Sequence, residues 1–167
     1  MKQQVYRQIV DLIRQASQLA QTIGIRNLLQ PGLVKEMIIA DLLGHELIDS
    51  KRDADAHAIS DPSEKYEYLS CIEGGSGQLD RMFKEPPEKR AQSLTRITRN
   101  TKIYLAVFEK ENQINCKVIY ELEPSDVLTE ANRQLDQSRN AISHISFSET
   151  WAREHGRVVY QSSSSHN

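Results

Sequence analysis

The sequence predicts an α/β domain in which helices flank a mixed β-sheet, preceded by a helical N-terminal region. Three patterns carry that expectation. Apolar residues recur every three or four positions near the N-terminus, a continuous apolar run at 103–108 has the length of a buried strand, and runs of strand and helix character alternate around it. The 167 residues, 38% hydrophobic and 26% charged, are enough for one ordinary domain with a core, here expected over residues 1–161.

In the first element, Val5, Ile9, Leu12, Ile13, Ala16, Leu19, Ala20 and Ile23 lie on one helical face, and Gly24 ends it. Its other face is glutamine-rich and nearly uncharged. Such a face is usually solvated, and the helical region 1–30 as a whole is the expected dimer contact. After Pro31-Gly32 a second helix turns Val34, Met37, Ile38 and Leu42 inward and stops at Gly44.

Residues 54–59 and 65–71 alternate in polarity about the turn Ser60-Asp61-Pro62-Ser63, which predicts a hairpin. The run 103–108 is the expected central strand, buried on both faces, and 116–122 is its hairpin partner. Ser125 or Asp126 is positioned to cap a helix to about residue 139. A strand at 145–147, a short helix from Ser148 and a strand at 157–160 follow. Residues 162–167 are low in complexity and expected to be disordered.

Composition excludes several classes. Cys71 and Cys116 lack zinc-ligand spacing or a disulfide framework, which fits a reducing cytoplasm. No apolar run approaches a membrane span, and the N-terminus lacks signal-peptide character. The net charge of −2 conceals segregation: residues 84–102 hold six basic and two acidic residues, while 51–83 and 103–150 are net acidic. A local excess of this kind suits a polyanion.

The hairpin carries the candidate chemistry. Alternation sets Asp55 and His57 on one face of its first strand, and Glu67 and Leu69 on one face of its second. Antiparallel pairing lets the Asp55 and Glu67 carboxylates converge, and two hard oxygen donors with a backbone carbonyl and water make an Mg²⁺ site open to phosphate oxygens.

The run Asp55-Ala56 with Tyr66-Glu67-Tyr68-Leu69-Ser70 resembles the hairpin of the PD-(D/E)XK nucleases, which is an aspartate, a turn and then Glu-x-Lys. The stretches "IYLAVF", "VIYELEPSDV" and "SETWAREHGRVVY" are similar to those of small type II restriction endonucleases. The resemblance implies a restriction-endonuclease-like fold and a homodimer cutting double-stranded DNA with Mg²⁺. Asp55, Glu67 and the Tyr68 carbonyl would be the metal ligands.

Where the family pattern has lysine, this chain has Leu69, which can neither orient water nor stabilise charge on phosphate. Three readings stay open. The lysine role passes to Lys65 or Lys102, the protein binds DNA without cutting it, or Leu69 is an inactivating replacement.

For DNA contacts, residues 71–84 form a candidate recognition loop, with glycines that let backbone approach phosphate. Gln78 and Arg81 suit adenine and guanine edges, and Lys84 adds charge. Arg96, Arg99 and Lys102, spaced by three, share one face of a helical turn and suit phosphate contacts. Glu36 is a reserve metal ligand from the second helix. His57, His144, His155, Trp151 and Cys71 read as structural or surface residues.

Overall fold

The computed structural model describes residues 1–50 and 52–163. Part of the low-complexity tail, residues 164–167, lies outside them. The chain forms two compact units, Met1–Val34 and a larger one beginning at Lys35.

The first unit is built on α1 (Lys2–Gln21). Its apolar stripe stays exposed at Val5, Ile9, Leu12, Ile13, Leu19 and Ile23, while Ala20 is buried. Gly24 adopts φ +85°, the left-handed conformation that ends helices, as the sequence predicts.

The larger unit begins within α2 (Leu33–Leu43), which leads through Gly44, also left-handed, into β1 (His45–Leu47). This three-residue strand was not anticipated, being too short to show a period. It pairs antiparallel with β2 (Ala56–Ala58), and β2 with β3 (Lys65–Ile72) through Ala56↔Tyr66 and His57↔Lys65. The hairpin therefore forms as expected, but its first strand is shorter and Asp55 lies just before it.

The main sheet is completed by β5 (Lys102–Phe108), β6 (Cys116–Leu122) and β8 (Arg157–Gln161) in the order β1-β2-β3-β5-β6-β8. Only β3 and β5 run parallel, so the sheet is mixed. Between them the chain forms β4 (Ser76–Phe83) and α3 (Pro87–Thr98). The central strand β5 is buried from Ile103 to Phe108, on both faces.

One core face joins Leu69, Leu105 and Val107 with Ile97 of α3 and with Val127, Ala131 and Leu135 of α4 (Pro124–Gln137). The other packs Tyr66, Tyr68, Tyr104, Ala106 and Phe108 against Ile39 and Ala40 of α2. Helix α4 begins with Pro124 at its first turn and Glu123 as N-cap, in place of the expected Ser125 or Asp126. The short helix expected from Ser148 is α5 (Glu149–His155), and Ser148 is its N-cap, its Oγ accepting from the Trp151 N–H at 3.1 Å. Trp151 packs against the first core face, between Phe147 and His155. Cys71 and Cys116 are free and buried, and burial pushes both thiols up to about 11.

The expected recognition loop is corrected. Residues 76–83 are strand β4, paired antiparallel with β7 (Ile142–Ser148) in a second, two-stranded sheet. A bulge between Leu79 and Met82, with Arg81 at φ +56°, shifts the inward side from odd to even positions. Both Leu79 and Met82 are buried, yet the period that marks a strand is broken. Gly77 faces the core rather than a phosphate. A Cβ there would lie 2.8 Å from Leu69 Cβ and 2.7 Å from Leu105 Cδ1, so only glycine lets β4 cross β3 and β5 this closely.

Candidate active site

Three elements of the larger unit meet at the start of β3. The β2–β3 register, extended by one residue, sets Asp55 opposite Glu67. The main chain anchors Asp55 on both sides: its N–H donates to the Tyr66 carbonyl at 3.1 Å, and its carbonyl accepts from the Ile48 N–H at 2.9 Å. The Tyr68 N–H donates to Asp55 Oδ2 at 2.8 Å, so Tyr68 meets the site through its main-chain nitrogen. Parallel pairing of β3 with β5 brings the end of α3 alongside, and Arg99, the C-cap of α3, places Nη2 3.8 Å from Glu67 Oε2.

Electrostatics set these carboxylates apart from surface acids. Burial first, and then the negative charge of Asp55, push Glu67 up to about 8, against the opposing pull of Arg99 and Arg96. Asp55 is raised by burial, although the Tyr68 hydrogen bond and both arginines favour its charged form. Glu36, in the first turn of α2, is pushed up to about 7 by burial and by Asp55. The helix carboxylate held in reserve from sequence is thus electrostatically part of the site. Three acids in one poorly solvated region repel one another when charged, and a bound cation would favour their ionised forms.

Asp55 and Glu67 are the residues that could hold such a cation. Glu67 Oε2 is buried without a hydrogen-bond partner, an oxygen whose lone pairs are uncommitted. Mg²⁺ commonly takes one or two protein carboxylates and fills its remaining positions with water and phosphate oxygens, so the donor set fits. Among the described residues no group of three His, Cys, Asp or Glu side chains forms a metal cage by itself.

The other residues singled out from sequence divide into those drawn to the site and those placed elsewhere. A surface cavity of about 520 Å³ is lined by Arg52, Arg81, Lys89, Arg96 and Arg99, with Ser93 and Gln92. Arg81 makes no ion pair among the described residues. Arg96 donates to the Asp80 carbonyl at 2.6 Å, fixing the α3 end to the β4 bulge. Arg52 and Lys89 were missed: Arg52 sits in an acidic stretch, and nothing in linear order ties it to α3.

Gln78 is exposed on β4. Lys84 is drawn away, its Nζ donating to the Ser138 carbonyl at 2.6 Å where α4 ends, a favourable place for a cation. Lys102 does not share a helical face with Arg96 and Arg99, because α3 ends at Thr98. It opens β5 and pairs with Glu123. Lys65 donates to both carboxylate oxygens of Asp53, at 2.7 and 2.9 Å. Leu69 is only 3% exposed and lies in the apolar core.

The histidines stand aside. His57 Nδ1 lies 2.8 Å from the Ala58 carbonyl, His144 pairs with Asp80, and His155 approaches the Trp151 carbonyl at 2.9 Å. Among the described residues no helix is long and apolar enough to cross a membrane. Comparison with known proteins leaves the site to be read from its geometry: no family model matches the chain, and no curated relative matches it.

Proposed function

We propose that the protein is a Mg²⁺-dependent endonuclease that hydrolyses phosphodiesters of double-stranded DNA, acting at a specific site as a type II restriction endonuclease does. The observation that carries this reading is the adjacency of two unlike environments. The poorly solvated carboxylates of Asp55 and Glu67 face each other across the hairpin, and Glu67 stands within 4 Å of a guanidinium that also lines a cavity of five basic side chains. Carboxylates of this kind suit a hard divalent cation, and a multiply basic groove beside them suits successive backbone phosphates. Resemblance of the hairpin and later strands to the PD-(D/E)XK nucleases, and to the restriction endonuclease PvuII among them, points the same way.

Bound between Asp55 and Glu67, Mg²⁺ would supply Lewis-acid polarisation of the phosphate and lower the pKa of the attacking water. The chain's own contribution is positional. Asp55 is fixed by the Tyr68 N–H, Glu67 by its place on a central strand, and the arginines of α3 by the β4 bulge and the Arg52 carbonyl. Incubation of plasmid and linear duplexes with Mg²⁺ or Mn²⁺ tests the reading. The expected result is discrete cleavage that Asp55→Asn abolishes without weakening DNA binding in EDTA. No cutting on any duplex, with salt-sensitive binding retained, would favour the competing reading of a DNA-binding homologue that does not cut, which the burial of Leu69 supports.

Cleavage of both strands at a palindrome calls for a two-fold dimer. The exposed apolar stripe of α1 supports that arrangement, with side chains such as Ile9 and Leu12 standing in solvent in a single copy. Ile9→Glu is expected to shift the protein from dimer to monomer mass in sedimentation equilibrium. A wild type already at monomer mass at micromolar concentration would count against the dimer.

A further inference from the structure

Two buried atoms in the site have opposite, unmet needs. Glu67 Oε2 has no hydrogen-bond donor, and Arg99 Nε has no acceptor. Their side chains are neighbours, yet Arg99 Nη2 stops 3.8 Å from Glu67 Oε2, beyond the ~2.7–2.9 Å of a charge-assisted hydrogen bond. The guanidinium is held off by its other contact, from Nη1 to the Arg52 carbonyl at 3.0 Å, and by its attachment at the end of α3. Buried polar atoms are seldom left unpaired, and an ion or ligand is one of the few things that accounts for those that are. The carboxylate oxygen calls for a cation, and the Nε–H calls for an anionic oxygen. A phosphate accompanied by a divalent cation satisfies both at once.

The lysines that could compete are committed. Lys65 is held by both oxygens of Asp53, and Lys102 pairs with Glu123. Leu69 brings no charge.

Resting on the nuclease reading, we propose that Arg99 binds the scissile phosphate through Nε and Nη2 and supplies the charge stabilisation that Leu69 cannot. In hydrolysis the phosphorus gains the hydroxyl of water, the bond to the leaving oxygen breaks, and that oxygen ends with the proton. Negative charge building on the non-bridging oxygens falls against the guanidinium, whose planar fork matches them in two places. The remaining cations of the cavity, Arg52, Arg81, Lys89 and Arg96, then lie along the flanking backbone.

The test compares wild type, Arg99→Ala and Arg99→Lys in two assays, with thermal melts showing which variants are folded. Binding of a short duplex is followed in EDTA across a salt series, and single-turnover cleavage is followed with Mg²⁺ at saturating DNA. Arg99→Ala is expected to lower the salt slope of binding by about one unit. It is also expected to lose on the order of 10²- to 10³-fold in cleavage rate, partly restored by added guanidinium. Arg99→Lys should keep the slope and recover only part of the rate; if the alanine variant does not fold, its deficit in rate carries the test.

Unchanged slope and rate in Arg99→Ala, while Asp55→Asn abolishes cutting, would overturn this assignment and leave the nuclease reading standing. A lower slope with an unchanged rate would also overturn it, making Arg99 a flanking contact only. A wild type that neither binds nor cuts DNA would overturn both.

Discussion

Glu67→Gln in EDTA at pH 8.5 is expected to melt above the wild type, by roughly 3–6 °C, although it removes a residue of the candidate active site. Burial and the proximity of Asp55 raise Glu67 from its ordinary 4.5 to about 8, so the folded protein holds this proton more tightly than the unfolded chain does. The resulting stabilisation is full below pH 4.5 and is lost as pH rises through about 8. Glu36, raised to about 7, adds a loss in the same direction over a lower window. At pH 8.5 the wild type therefore carries most of the cost of ionising a poorly solvated carboxylate, which the neutral glutamine avoids. At pH 5 both side chains are largely neutral and the two melts should nearly coincide.

Mg²⁺ should reverse the order. It is expected to raise the melting temperature of the wild type at pH 8.5, where Glu67 is ionised, and to do little at pH 5.5, where the cation must displace a proton. Glu67→Gln should lose both this protection and cleavage. Differential scanning fluorimetry across pH, with and without Mg²⁺, reads all of these effects. Equal Mg²⁺ protection of wild type and variant would remove Glu67 from the metal site.

Leu69→Lys, the substitution that restores the family pattern, is expected to destabilise the protein by about 2–4 kcal/mol. Leu69 is 3% exposed in an apolar core, against Leu105 and against Gly77, whose lack of a side chain lets β4 close over it. A lysine there must either bury its ammonium or strain back along the strand face toward Glu67, giving up the packing. The urea midpoint measures the cost, and a loss below about 0.5 kcal/mol would show that the core readily yields. Combined with Glu67→Gln the loss should grow, because the nearest carboxylate is gone. Cutting by Leu69→Lys and not by the wild type would favour the DNA-binding homologue.

The acidic half of the site is legible in the sequence for a local reason. Asp55 and Glu67 lie on the arms of one hairpin, and alternation about the Pro62 turn fixes which side chains share a face. The basic half is not. Arg99 reaches Glu67 because β3 and β5 are parallel, so the chain must travel out through β4 and α3 and return before the strands can pair. That crossover delivers the end of α3 to Glu67, and it also takes Lys102 into β5 and Lys84 to the end of α4. All lie in the same basic segment, and local composition does not distinguish them.

Strand β4 was hidden by its own irregularity. The bulge that turns Arg81 into the basic cavity also moves the buried side from Leu79 to Met82, erasing the two-residue period.

The sequence by itself determined the α/β class, the helix stops at Gly24 and Gly44, the central strand and the hairpin whose arms carry Asp55 and Glu67. Each depends on periodicity or turn chemistry within a few residues. Only the tertiary structure decided that Leu69 belongs to the core, that Glu36 senses Asp55, and that Arg99 is the cation beside Glu67. Those outcomes depend on which distant surfaces bury one another, and burial is what raises the carboxylates and leaves Glu67 and Arg99 with unmatched polar atoms.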